Sequence, residues 1–247
     1  AEGLTEVTEP SPSRDHTERM LAYFGAELER EGTTVRIAGP QRLEAREVPV
    51  PADPSSAAFP AVWAAAVPGS EVLLRGICLN ETRTGFISVL RRMGAEVTLH
   101  DVREVAGDSV GDILIRGADL TATTIEGQEV PTLIDEIPVL AVAACFARGT
   151  TVIRDAHELR VKETDRIGAM AMGLASLGVR VEETRDGLVI EGGRALKPGH
   201  IRTFSDHRIA MSFFILSRIA DIEVALDDTG CVDISFPGFF ELMGRIV

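Results

Sequence analysis

Three cations, Arg160, Lys162 and Arg166, fall within the seven residues RVKETDR of a chain with 25 basic and 38 acidic residues and a net charge of −13. Cations gathered against the overall sign suit an anionic group. Guanidinium presents a planar fork to phosphate or carboxylate, and ammonium a point charge. Lys162 and Arg166 are four apart and Glu163 and Arg166 three apart, so a helix capped by Thr164 would carry them on one face. A solvated helix start with ordinary ion pairs accounts for the same charges. His207 and Arg208 follow Asp206, and Arg14 adjoins Ser13 and Asp15. An arginine at a helix start opposes the helix dipole, which an anion to be bound would explain. Arg83, in NETRTGF, reads as structural. The net charge speaks against a nonspecific nucleic-acid binder, which needs a basic face, and leaves room for a small anionic substrate held locally. The five histidines are scattered. No His/Cys pair has ligand spacing, and nucleotide-binding glycine loops and a GxSxG elbow are absent, so metal and nucleotide sites find no support.

The elements that must position these residues come from a repeat. MLAYFGAELEREGTTVRIAG (20–39), LRRMGAEVTLHD (90–101, resuming after an insertion as DILIRG) and LASLGVRVEETRDGLVIEGG (174–193) share a pattern. Each is a helix end, a glycine and two alternating strands. Gly25, Gly94 and Gly178 occupy the position just past the helix, where a left-handed backbone is needed. Asp186-Gly187 marks a hairpin. A second piece, starting at 53, 134 and 205, has a polar opening, an apolar helix and a Val/Ile/Leu strand. The assembled unit is helix–strand–helix–strand–strand, complete over 53–117 and 134–193. A third copy stops after a helix at Phe236–Ile246, and 1–50 holds only a back end, one helix plus a hairpin. The fold class is α+β, with buried helices and outer mixed sheets. The helices at 58–67 and 137–147 are apolar nearly all round and should be interior. Ser55, Ser56, Asp135, Ser205 and Asp206 are N-cap residue types. In a threefold repeat such helix starts converge and form an anion site, although capping alone explains each singly. A Pro-rich stretch near Val50 divides 1–50 from 51–247.

Hydrophobic residues make up 45% of the chain, enough for a sizeable core. No apolar stretch is long enough to span a bilayer. Cys78, Cys145 and Cys231 offer no disulfide framework, Cys145 reads as a core residue, and a reducing cytoplasmic compartment is expected. No secretory signal opens the sequence, whose first residues read like the middle of a longer chain.

The strings EPSPSRDHTERML, VPADPSSAAFP, NETRTGFISVLRRMGAE, LIDEIPVLAVAACFARGTT, ELRVKETDRI, SDHRIAMSF and SFPGFFELM occur in this order. Together they resemble the enolpyruvyl transferases, and within them the 5-enolpyruvylshikimate-3-phosphate synthase family. ELRVKETDRI and DHRIAMSF are the most specific. The resemblance implies two similar domains of three such units each, with the active site in the cleft between them. It makes 1–50 the end of the amino-terminal domain and 51–247 the carboxy-terminal domain. The implied partners are shikimate 3-phosphate and phosphoenolpyruvate, joined through a tetrahedral intermediate with loss of phosphate. No cofactor, metal, nucleic acid or membrane is implied. Asp135 matches the base for the shikimate hydroxyl. Lys162 and Glu163 match the pair that moves a proton at the phosphoenolpyruvate methylene. Arg166 and Arg208 match the phosphoenolpyruvate clamp, with His207 beside them, and Arg14 matches a contact to the shikimate phosphate. For Glu163, lodged between two cations, to donate a proton, water must be excluded by cleft closure.

Two departures stand out. The family's amino-terminal half, with its lysine-serine loop, glycine-rich loop and Ser/Gln contacts, is not in these 247 residues, so inactivity of this segment alone is expected. Ile234 stands where some members have lysine. The sister transferase acting on UDP-N-acetylglucosamine, and a noncatalytic repeat scaffold, are the alternatives.

Overall fold

The computed structural model describes residues 2–246. The chain opens with strand β1 (Gly3–Thr8), helix α1 (His16–Tyr23) and the hairpin β2 (Leu28–Glu31) and β3 (Thr34–Gly39). These strands form one antiparallel sheet in the order β1-β3-β2. The sequence reading has no counterpart for β1, because GLTEVT is exposed along its whole length and shows no buried face.

The first full unit is α2 (Pro54–Ala66), β4 (Glu71–Cys78), α3 (Gly85–Met93), β5 (Glu96–Val105) and β6 (Asp108–Arg116). A short strand β7 (Thr124–Ile125) and two 3-10 turns lead to the second unit. That unit is α4 (Ile137–Phe146), β8 (Thr150–Ile153), α5 (Arg166–Ser176), β9 (Arg180–Glu183) and β10 (Leu188–Glu191). Strand β11 (Gly199–Ile201), helix α6 (His207–Ala220) and β12 (Val224–Leu226) begin the third, which ends in α7 (Val232–Ser235) and α8 (Phe239–Ile246). The last helix starts three residues later than expected, after Gly238 takes a φ of +75°.

The two complete units have the same sheet order, β4-β6-β5 and β8-β10-β9, antiparallel within each. The link into each unit runs parallel to its first strand: Ala52 bridges Ile77, β7 pairs with β8 and β11 with β12. Sequence alternation found the antiparallel hairpins; these two- and three-residue links carry too little pattern to read. Gly25, Gly94 and Gly178 have φ of +90°, +107° and +91°. The residue after each closes back on the helix, Ala26 to Leu21, Ala95 to Leu90 and Val179 to Leu174, at 2.9–3.1 Å. These bonds satisfy carbonyls that a helix end leaves free.

Helices α2, α4 and α6 pack on one another at the centre. Every residue from Ile137 to Cys145 is buried, as are Ala58, Ala61, Ala64 and Ala65 on α2. A helix without a polar face has no side to give to water, and the alanines let neighbouring helices approach closely. Strands β4 and β6 cover α2, and β10 covers α4, with Ile113, Ile115, Leu188 and Ile190 turned inward at alternate positions. Each unit's last strand then runs off across the end of its own buried helix. A Cβ at Gly117 would lie 1.9 Å from the Val67 carbonyl oxygen, and one at Gly192 2.2 Å from that of Ala147. Asp53 and Asp206 cap α2 and α6 through their side chains. Ser55 and Ser56 lie inside the first turn, a correction to their reading as caps. Asp135 likewise sits in a 3-10 turn, Ile134–Glu136, ahead of α4. Among the described residues no helix is long and apolar enough to cross a membrane, and Cys78, Cys145 and Cys231 are free.

Candidate active site

The repeat brings the starts of α2, α4 and α6 to one place. Ser55 Oγ donates to Glu136 Oε1 at 2.6 Å, and Arg208 Nη1 donates to the Asp135 carbonyl at 2.9 Å. The expected convergence is therefore real. The N–H groups of Ser55 and Ser56, and of Arg208 and Ile209, are however already taken by Asp53 and Asp206. What faces outward is a set of side chains rather than bare helix ends.

Asp135 is the centre of that set. Its carboxylate lies 2.6 Å from Arg14 Nη2, 3.3 Å from Arg166 Nη1, 3.5 Å from Lys162 Nζ and 4.0 Å from Arg208 Nη2. Burial pushes the Asp135 carboxyl up, but Arg208, Arg14 and Lys162 outweigh it and hold it at about 2. Arg14 reaches it from 121 positions earlier in the chain. Lys162 and Arg166 do not share a helix face. Lys162 ends the 3-10 turn His157–Val161, and Arg166 is the first residue of α5, capped by Asp165 and not by Thr164. They meet because the chain bends between them, each aimed at Asp135.

Arg166 is only 1% exposed and fully engaged. Its Nε donates to Asp206 at 2.8 Å and its Nη2 to Glu163 at 2.5 Å. Lys162 Nζ also donates to Glu158 Oε1 at 2.5 Å. The Glu163 side chain is 53% exposed while its Oε2 stays on Arg166. His207 makes no side-chain hydrogen bond among the described residues. Burial, reinforced by the neighbouring Arg208, pushes its pKa down, which favours the neutral imidazole. With Arg208, Ser56 and Ser235 it lines a cavity of about 40 Å³. Ile234, next to Ser235, is exposed. Arg83 donates to Asp53 Oδ1 at 2.8 Å and to Ser55 Oγ at 3.0 Å, holding the start of α2.

Arg14 and Lys162 line a cavity of about 270 Å³ with Ser13, Pro131, Ile134 and Glu158. A larger one, about 600 Å³, lies between α3 and the β5–β6 hairpin. None of the sequence-predicted site residues reaches it, and its one cation, Arg91, is committed to the Val97 carbonyl, so size does not locate the chemistry here. The ligand atoms of His16, Cys78 and Asp108 lie within 4.8 Å of one another. Asp108, however, accepts from Asn80 at 2.7 Å, lies 2.8 Å from His16 Nδ1, and has Arg19 3.6 Å away. These partners supply the charge balance a metal would provide.

Sequence reasoning passed over Glu136, buried beside Asp135, and Glu158, which pairs with Lys162. The one signal for Glu136 was a carboxylate directly before an unbroken apolar run, a position that must be buried.

With this geometry in hand, the comparisons are specific. The family model described as EPSP synthase (3-phosphoshikimate 1-carboxyvinyltransferase) matches residues 1–243. Proteins of the same description from Gloeobacter violaceus and Geobacter metallireducens are each 50% identical over 246 residues. The chain is covered entirely but spans only 57% of either relative. The solved EPSP synthase from Acinetobacter baumannii superposes on the whole chain with a TM-score of 0.93 at 42% identity, again over 57% of its own length. The enolpyruvyl transferase NikO from Streptomyces tendae, at 20% identity and a TM-score of 0.71, shares the fold. The family match over nearly all of its length makes the chain a member of the EPSP synthase family.

Proposed function

We propose that the polypeptide containing these residues transfers the enolpyruvyl group of phosphoenolpyruvate to the 5-hydroxyl of shikimate 3-phosphate. Residues 1–50 close the amino-terminal domain, 51–247 form the carboxy-terminal one, and the amino-terminal half supplies the opposite wall of the cleft. The observation that carries the reading is the carboxylate of Asp135, ringed within 4.0 Å by four cations, two of which border an open cavity.

The hydroxyl oxygen bonds to C2 of phosphoenolpyruvate while Asp135 takes its proton, and Lys162 with Glu163 delivers a proton to C3, giving a tetrahedral intermediate. Lys162 with Glu163 then takes a proton back from the new methyl group, the C–O bond to phosphate breaks, and phosphate leaves carrying the proton held by Asp135, giving the enol ether. Every proton passes through a side chain. Arg208 and Arg166 hold phosphoenolpyruvate, Arg166 by exchanging its Nη contacts with Glu163 and Asp135 for the ligand, with His207 alongside, and Arg14 holds the shikimate phosphate. Held at about 2, Asp135 is a weak base. Anions that draw Arg14 and Arg208 onto themselves lift that restraint, so binding of both substrates strengthens the base where it is needed. Free cysteines suit a cytoplasmic enzyme.

The test joins this chain to the amino-terminal remainder of the Gloeobacter relative and measures phosphate release that depends on shikimate 3-phosphate. Asp135→Asn and Lys162→Met should each cost about 10²–10⁴-fold in turnover. A loss under about tenfold, roughly 1.4 kcal/mol, supports a scaffold, and preference for the UDP sugar supports the sister enzyme.

A further inference from the structure

We propose that Glu136, backed by Ser55 and Arg83, is a positioning residue that seats Arg208 for phosphoenolpyruvate; the proposal rests on the function proposed above. Glu136 is 2% exposed. Its Oε1 accepts from Arg208 Nη1 at 3.3 Å and from Ser55 Oγ at 2.6 Å. Ser55 Oγ accepts in turn from Arg83 Nη2 at 3.0 Å, and the same nitrogen donates to Asp53, the cap of α2, at 2.8 Å. A continuous line of hydrogen bonds thus runs from the fixed end of one central helix to the guanidinium on another.

Arg208 needs such a seat. It stands in the first turn of α6, where the helix dipole repels a cation, and its side chain has four torsions to restrain. Nη1 is held by two acceptors, the Asp135 carbonyl at 2.9 Å and Glu136, while Nη2 stays 4.0 Å from the Asp135 carboxylate. That arrangement fixes the plane of the fork and leaves Nη2 without a close partner among the described residues. Glu136 itself is a poor choice for stability. A buried carboxylate loses its hydration, and an apolar residue or an amide would be buried more readily. The site repeats the device, since Arg166 rests on Asp206, which is fully buried. Both clamp arginines are therefore oriented from behind by an inaccessible carboxylate, and preorganisation of that kind raises affinity without a new contact to the ligand.

The joined polypeptide of the previous section provides the test. Glu136→Gln keeps the size and Ser55's partner but removes the charge. It should raise KM for phosphoenolpyruvate about tenfold and leave kcat and KM for shikimate 3-phosphate within about twofold, the pattern of lost uniform binding of one substrate. In an Arg208→Lys background the same change should add less than about twofold, because Glu136 acts through Arg208. Ser55→Ala, read the same way, should raise KM for phosphoenolpyruvate about threefold and serves if Glu136→Gln does not fold. The proposal is overturned if both KM values rise together, if kcat alone falls, if the effects of Glu136→Gln and Arg208→Lys simply multiply, or if Ser55→Ala changes nothing. Loss of turnover in Arg208→Ala alongside an unaffected Glu136→Gln rejects the positioning role alone. A joined polypeptide in which Asp135→Asn and Arg208→Ala both retain full turnover rejects the function, and this proposal with it.

Discussion

Asp15 and Asp135 are the same kind of object built for different ends. Asp15 is 4% exposed and receives Arg19 at 2.9 Å, Arg30 at 2.9 Å and Asn80 at 2.8 Å. Asp135 receives four cations. In both, burial pushes the carboxyl up and cationic partners more than reverse it, leaving Asp15 well below the usual carboxylate range and Asp135 at about 2. The difference lies in the architecture around them. Arg19 and Arg30 stand on α1 and β2, close to Asp15 in the chain, and Asn80 ties the group to Asp108 and His16. Asp15 lines none of the cavities described above, and its cluster joins the first fifty residues to β6. The cations of Asp135 come from three separate stretches, and Arg14 and Lys162 turn toward open space. A caged carboxylate is a weld when its cations, however hydrated, border none of these cavities, as with Arg19 and Arg30. It becomes a site when they line a cavity from which a ligand can claim their donors, as Arg14 and Lys162 do. Arg14 and Asp15 are consecutive, yet one borders the cavity beside Asp135 and the other belongs to the weld.

The contrast breaks if substitutions at the two carboxylates have the same effects. Asp15→Asn in the joined polypeptide should lower stability by about 3 kcal/mol. That is the low end for an uncompensated buried pair, because Arg19 and Arg30 remain partly hydrated. Turnover at a temperature where it stays folded should change by less than about threefold. Asp135→Asn should differ chiefly in turnover, losing nearly all of it, together with about 2 kcal/mol of stability, the share its depressed pKa carries at neutral pH. Urea unfolding monitored by circular dichroism, beside the phosphate-release assay, separates them. A large stability loss at Asp135 with unchanged turnover would make it a second weld.

Acid should act on both clusters. Each carboxyl has a folded pKa below its usual 3.8. A depressed pKa contributes stability that is present above the unfolded value and lost as pH falls through the folded one. The window therefore runs from about pH 4 downward, through about 2 for Asp135 and lower for Asp15. The Asp135 share is about 2 kcal/mol on the linkage relation. Urea midpoints measured between about pH 5 and pH 2.5 should fall steeply, and Asp135→Asn should flatten part of that slope. An unchanged slope would show that its cations do not hold the carboxylate charged.

How much of this was legible in the residues follows from distance along the chain. The buried helices announced themselves because α2 and α4 have no polar face, and the turn glycines because few other residues tolerate a left-handed backbone. Local pairing invited error: Lys162 and Arg166 look like neighbours on one helix, yet a 3-10 turn and a cap at Asp165 separate them. Asp15 stands at the N-cap position of α1 and makes no side-chain cap bond, because Arg30 and Asn80, 15 and 65 positions away, claim its oxygens. No spacing rule reaches the 121 positions between Arg14 and Asp135. The resemblance set both residues against one substrate but did not put them in contact, and it passed over Glu136, whose partner Ser55 lies 81 positions earlier.

Glu136 sharpens the comparison with the smallest effect and an opposite sign. Its carboxyl is pushed above its usual 4.5 by burial, with Arg208 and Ser55 opposing. A raised carboxyl pKa favours the folded state below the unfolded value, and that advantage disappears as pH rises through the folded one. At neutral pH the buried carboxylate is thus a cost that the weld at Asp15 does not carry. Glu136→Gln should accordingly be more stable than the parent at pH 7, by about 1 kcal/mol or a few degrees in Tm. The difference should shrink toward zero as pH falls below about 4.5. Thermal melting of the joined polypeptide at both pH values reads it directly. A gain in stability beside a weakened hold on phosphoenolpyruvate would mark Glu136 as retained for the ligand's sake. A variant less stable at pH 7 would place it with Asp15 instead, as a charge the fold itself requires.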